Sequence, residues 1–201
     1  MRKLLIATKN PGKIQEYRSL LKGEPIEIVT LDDVKITVPI DEDGETIEDN
    51  AVKKAVHYAY FSNMPALGDD GGIEVEALGG EPGVRTRRWP GYEASDEELI
   101  EMMLEKMKDV PWEKRKARFR VAIAFAMPSE EKVWVRGGIK EGYITDKPTE
   151  LIPGYPFRSL FWIPETKKTL GEHTSEEEAK LFLHRKQAIE ELLPIIRKKL
   201  L

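Results

Sequence analysis

Four short stretches carry the residue types that could do chemistry. Thr8-Lys9-Asn10-Pro11-Gly12-Lys13 lies where an apolar run hands over to a helical pattern. The first amides of a helix lack intrahelical partners and carry part of the helix dipole, so they can receive a phosphate. The Thr8 hydroxyl, the Asn10 amide, the backbone at Gly12 and the charges of Lys9 and Lys13 would add to that grip. The stretch is not a G-x-x-x-x-G-K-[ST] loop, and an ordinary turn with solvated lysines remains the alternative. Asp69-Asp70-Gly71-Gly72 sets two carboxylates at a strand tip, where only one of the pair should face a given site. Hard oxygens suit magnesium, which takes one or two carboxylates and completes its shell with water and phosphate; a turn-forming Asp-Asp-Gly is the plainer reading. The acidic run at 41–48, with Glu42, reads by itself as a solvated loop. His184-Arg185 opens the last helix and offers a ring nitrogen and a forked donor. His57, inside an amphipathic helix, is expected to be structural, and His173, in a polar loop, to be solvated.

The elements that must position these residues follow from periodicity. Lys3 to Thr8 is a short apolar strand, the helix after it runs from Lys13 to Leu21 with Tyr17 inward, and Ile26 to Leu31 is a second strand. Strand, tight loop, helix, strand implies an α/β layer with parallel pairing. Thr46 with Asp49 can cap a helix from Glu48 to Phe61 that turns Ala51, Ala55, Tyr58 and Ala59 inward. Ala66 to Gly68 is expected as a short strand ending in the Asp-Asp-Gly-Gly turn, with a half-exposed strand from Ile73 to Leu78. A helix from Asp96 to Lys108 precedes a hairpin of Lys116–Met127 and Lys132–Ile139, and Gly142–Ile144 continues the sheet after a kink. Helices over 175–182 and 184–200 close the chain.

Composition narrows the classes further. With no cysteine among 201 residues, disulfide scaffolds, thiolate nucleophiles and cysteine-ligated metals are excluded. A formal charge of −4 argues against a non-specific nucleic-acid binder, and no apolar run approaches the length of a membrane span. The apolar start is too short for a signal-peptide core, so the expectation is a cytoplasmic protein.

Taken in order, these pieces resemble the family of inosine and xanthosine triphosphate pyrophosphatases, which clear unwanted purine nucleoside triphosphates. Ala7-Thr-Lys-Asn-Pro-Gly-Lys13 with Glu16, Glu42-Asp-Gly-Glu-Thr-Ile-Glu-Asp-Asn-Ala51 with Lys53-Lys54-Ala55, and Gly68-Asp-Asp-Gly-Gly-Ile73 with Ala77-Leu-Gly-Gly-Glu-Pro-Gly-Val84 match three family blocks. Gly138, Gly142 and His184-Arg185 with Ala188 match the rest. The resemblance implies a single two-lobed α/β domain over residues 1–201, with a mixed sheet, a cleft between the lobes and a homodimer. It implies that residues 8–13 hold the triphosphate and that Asp70 is proton acceptor and metal ligand. Glu42 becomes the second carboxylate for Mg²⁺, and Lys13 neutralises charge on the leaving group.

Departures from the family pattern gather in the base-recognition half. Gly71 replaces a serine that contacts substrate, so that hydroxyl is lost. Gly154-Tyr155-Pro-Phe-Arg158-Ser-Leu-Phe161 keeps an aromatic face in Tyr155 but sets Arg158 where the family has an aspartate. Lys180 lies one residue closer to His184 than the family lysine, and Leu183 replaces a serine. Swapping an acceptor for a donor at Arg158 predicts a weaker preference for inosine and xanthosine triphosphates than the family norm, unless Arg158 points to solvent. A nucleotide-binding or sensing protein with little turnover is the competing reading.

Overall fold

The computed structural model describes residues 2–181 and 183–201, with the backbone alone at 175, 179 and 180. Its strands are β1 (Arg2–Ile6), β2 (Ile26–Thr30), β3 (Ala66–Val75), β4 (Lys116–Ala126), β5 (Val133–Ile144), β6 (Phe161–Ile163) and β7 (Lys168–Thr169). Its α-helices are α1 (Pro11–Leu20), α2 (Ile47–Ser62), α3 (Asp96–Met107), α4 (Ser175–Lys180) and α5 (His184–Leu200). The strands form one sheet in the order β2-β1-β3-β4-β5-β6-β7. β1 pairs in parallel with β2 and β3, whereas β6 pairs antiparallel with β5 and β7, so the sheet is mixed as expected. Phe182, expected to end the fourth helix, lies outside the described residues. Among those residues no helix is long and apolar enough to cross a membrane.

The chain folds as two compact units, residues 1–70, 121–138 and 184–201, and residues 71–120 and 139–183. In the first, Leu4, Leu5 and Ile6 are fully buried, as a strand covered on both faces requires. α1 starts where it does because Asn10 caps it and Pro11 occupies its first position, where a missing N–H costs nothing. Thr46 and Asp49 form the capping box anticipated for α2, which ends at Asn63 in a left-handed conformation. Tyr17, Leu67, Phe125, Ile189 and Leu192 are central to the first core. The second unit packs Ile73, Met103, Phe157, Phe161 and Leu170 around α3, whose Ser95–Glu98 capping box sets its start.

Two expected breaks are absent. β3 runs unbroken from Ala66 to Val75, where a turn at the paired glycines was expected. Gly72 is there for close approach: a Cβ on it would lie 2.1 Å from the Gly83 carbonyl oxygen, and the neighbouring Ile73 amide donates to Thr86 Oγ1 at 3.1 Å. β5 likewise runs unbroken through the kink expected at 140–141. His173 is buried rather than solvated, its Nδ1 2.8 Å from the Thr169 carbonyl and its Nε2 2.8 Å from Thr166 Oγ1.

Candidate functional site

The first unit gathers the charged residues into two adjoining groups, one on each carboxylate of the Asp69-Asp70 pair. Both aspartates sit in β3 and are buried. Their hydrogen-bond partners do not overlap, which is the alternation that a strand imposes on neighbouring side chains.

Asp69, only 1% exposed, collects the cations. Lys13 Nζ and Arg185 Nε donate to it, the latter at 2.6 Å, and the Tyr17 hydroxyl adds a bond of 2.7 Å. Arg185 Nη1 reaches Glu16 at 2.7 Å. Lys13 and Tyr17 stand four residues apart on one face of α1, so one helix delivers both. Burial alone would raise the Asp69 carboxyl, but the Arg185 and Lys13 charges outweigh it and hold the group well below the usual carboxylate range. Burial, reinforced by that carboxylate, pushes the Tyr17 phenol well above its ordinary value. Burial would lower Arg185, yet Asp69 and Glu16 keep it firmly charged.

Asp70 has a different shell. Asn50 Nδ2 donates to it at 3.1 Å and Lys54 Nζ at 3.1 Å, and the same ammonium reaches Glu42 at 3.0 Å. Asn50 and Lys54 are again four apart, on the inner face of α2, and Asn50 Oδ1 ties down the acidic loop by accepting from Gly44 N at 2.8 Å. Burial raises the Asp70 carboxyl; Lys54 and Lys13 pull it down, Glu42 pushes it up, and the balance leaves it above the ordinary aspartate value. For Glu42 the burial penalty is outweighed by Lys54, so its carboxyl is lowered. Lys54 is raised, because Asp70 and Glu42 overcome the cost of burying the ammonium.

The loop at 8–13 differs from its sequence reading in one respect. The Gly12 and Lys13 amides are not unpaired: Asn10 Oδ1 accepts from them at 2.9 and 3.2 Å. The Asn10 amide in turn donates to Thr8 Oγ1 at 3.2 Å. Asn10 is thus the cap of the helix, and an arriving anion competes with it. Lys9 is exposed, and Gly71 follows Asp70 along β3. His184 and Arg185 are both buried, with Arg185 committed to carboxylates rather than to an open face.

The second unit holds Tyr155 and Arg158. Arg158 does not point to solvent: its Nη atoms donate to the two carboxylate oxygens of Glu178 at 3.0 and 3.3 Å, and its guanidinium lies 4.7 Å from the Tyr155 ring centre. The Lys180 side chain lies outside the described part of the structure.

Sequence reasoning singled out Lys13, Glu42 and Asp70 but assigned no part to Asp69, Tyr17, Asn50 or Lys54. The i,i+4 spacing of Lys13 with Tyr17 and of Asn50 with Lys54 was the available signal. Among the described residues no cluster of three or more His, Cys, Asp or Glu is set to hold a metal. Glu42 and Asp70 nonetheless converge on one cation, Lys54, so two carboxylates can serve a single positive centre. That donor set fits magnesium, which needs few protein ligands when substrate oxygens and water complete its shell.

Fold and site together define a class: an α/β protein that sets hard carboxylate oxygens beside lysines suited to a polyanion. The model of the Ham1 family matches residues 4–195. The chain is 36% identical over 196 residues to the dITP/XTP pyrophosphatase of Bacillus subtilis (strain 168), covering 98% of each. It is 36% identical over 198 residues to the dITP/XTP pyrophosphatase of Escherichia coli (strain K12), covering 98% of this chain and 99% of that one. Among solved structures, a HAM1 protein from Coxiella burnetii superposes with a TM-score of 0.85 at 30% identity, over 98% of this chain and 100% of that one. The chain belongs to the Ham1 family.

Proposed function

We propose that the chain is a magnesium-dependent pyrophosphatase of purine nucleoside triphosphates of the inosine and xanthosine type, releasing the monophosphate and pyrophosphate. The observation that carries this reading is the convergence of Glu42 and Asp70 on Lys54, in the unit that also holds the lysine-bearing loop at 8–13. The likeness to dITP/XTP pyrophosphatases supplies the substrate class; the cytoplasmic homodimer is carried over from the family resemblance alone.

In this reading Thr8, Lys9, Asn10, Gly12 and Lys13 receive the triphosphate, with Lys9 and Lys13 offsetting its charge. Glu42 and Asp70 would hold Mg²⁺, which supplies charge neutralisation at the phosphate oxygens. Asp70 orients a water and takes its proton as the water oxygen bonds to the α-phosphorus and the bond to the pyrophosphate oxygen breaks. Asn50 and Lys54, which both donate to Asp70, fix its orientation. Asp69 keeps Lys13 in place, and Arg185 and Tyr17 keep Asp69 in place. Tyr155 and Arg158 meet the base.

Pyrophosphate release with magnesium, measured over ITP, XTP, their deoxy forms and the common nucleotides, tests the reading. Release from ITP or XTP supports it, whereas tight binding without release from any nucleotide leaves a sensing protein in its place.

A further inference from the structure

The arrangement around Arg158 goes beyond a change of charge. Its guanidinium stacks on the Tyr155 ring at 4.7 Å and is held there by two bonds to Glu178, at 3.0 and 3.3 Å. The Arg158 and Glu178 side chains are only 13% and 21% exposed, so the pair is largely shielded from water. The backbone beneath is pinned separately. Gly154 N donates to Asp96 Oδ2 at 2.6 Å, Ser159 Oγ donates to the Pro156 carbonyl at 2.8 Å, and Phe157 is buried against Trp89. The pair can therefore open by side-chain rotation with the loop unmoved.

We propose that Arg158 determines base specificity in this chain, as a guanidinium latched over Tyr155 by Glu178 that an incoming base must unseat or engage; this rests on the reading above that Tyr155 meets the base. A guanidinium can only donate hydrogen bonds. A 6-oxo purine presents O6 and N7 as adjacent acceptors, the pair that an arginine fork matches. Such a base replaces the bonds given up by Glu178. A 6-amino purine keeps the N7 acceptor but turns an N–H toward the guanidinium, so it returns only one of the two bonds given up by Glu178. The contact rejects adenine, and it does not separate hypoxanthine from guanine, because both carry the same two acceptors.

The test is equilibrium binding of the α,β-methylene analogues of ITP and ATP to the full chain with magnesium, with tripolyphosphate as a probe that lacks a base. Glu178→Gln, which changes one partly exposed carboxylate, releases the latch and tightens both analogues by about fivefold, the scale of one ion pair. Arg158→Met brings the ITP-to-ATP affinity ratio to within about twofold of one. Tripolyphosphate binds both variants as it binds the parent chain. If the analogues bind the parent and either variant keeps the parent's affinities and ratio, Arg158 has no such role and the proposed hydrolysis stands. If the ITP analogue does not bind the parent at all, both readings fall.

Discussion

Asp70 and Asp69 are neighbours in sequence with opposite electrostatic fates, and their difference shows how a carboxylate is assigned its work. Asp69 faces two cations and is pinned in its charged form; Asp70 faces one close ammonium and a like charge, and is left easier to protonate. Under the proposed mechanism, Asp70→Asn lowers pyrophosphate release by about a thousandfold, the scale of a lost general base, with an unchanged circular dichroism spectrum. Near-parental release would remove Asp70 from the chemistry. Lys54→Met strands Asp70 and Glu42 beside each other without their shared counter-charge. It destabilises the fold by about 3 kcal/mol, toward the low end for breaking a buried pair because Glu42 is part-exposed. The Lys54→Met/Asp70→Asn double variant recovers part of that loss in urea unfolding. Additive losses would mean that the pair is not coupled.

At the scale of elements, the site depends on α2 lying close to β3. Gly68 makes this possible, because a Cβ there would lie 2.1 Å from the Ala51 carbonyl oxygen and 2.5 Å from the Ala55 amide. Those are backbone atoms in the middle of the helix that carries Asn50 and Lys54, so they cannot rotate away. Gly68→Ala is expected to cost about 3 kcal/mol, the upper range for overpacking, and to reduce turnover by moving both donors off Asp70. Thermal melts alongside pyrophosphate release check this, and a stable, fully active variant would contradict it. α1 shows a milder dependence. Asn10→Ala removes the cap and is expected to cost about 1 kcal/mol in chemical denaturation.

At the scale of the whole molecule, the buried carboxylate of Asp69 links stability to pH. Its folded pKa lies below its unfolded value of about 3.9, so its contribution is complete above that value. It is lost as the pH falls further, toward the depressed folded value. Asp69→Asn should therefore be less stable than the parent at neutral pH and lose less additional stability on acidification below about 4. Urea midpoints compared between neutral and acidic pH decide it; parallel acid limbs would show that Asp69 does not titrate in the fold as described.

Much of this was legible along the chain, because its signals are local. The apolar run at the start, the Thr46–Asp49 capping box and the inward Ala51, Ala55, Tyr58 and Ala59 all depend on residues within one or two turns of each other. Motif order was enough to single out Lys13, Glu42 and Asp70. Three things were settled only by residues far apart in sequence. Lys13 meets Asp69 across 56 positions and Arg185 meets it across 116, and no periodicity encodes such pairings. The Asp-Asp-Gly-Gly segment continues as strand, and its Gly72 packs so closely against Gly83 that no Cβ would fit. Arg158 turned to Glu178 and Tyr155 instead of water because folding brought a carboxylate within reach. Local spacing chose the elements, and three-dimensional proximity chose which charges neutralise one another, since Coulomb energy and burial depend on distance through space rather than along the chain.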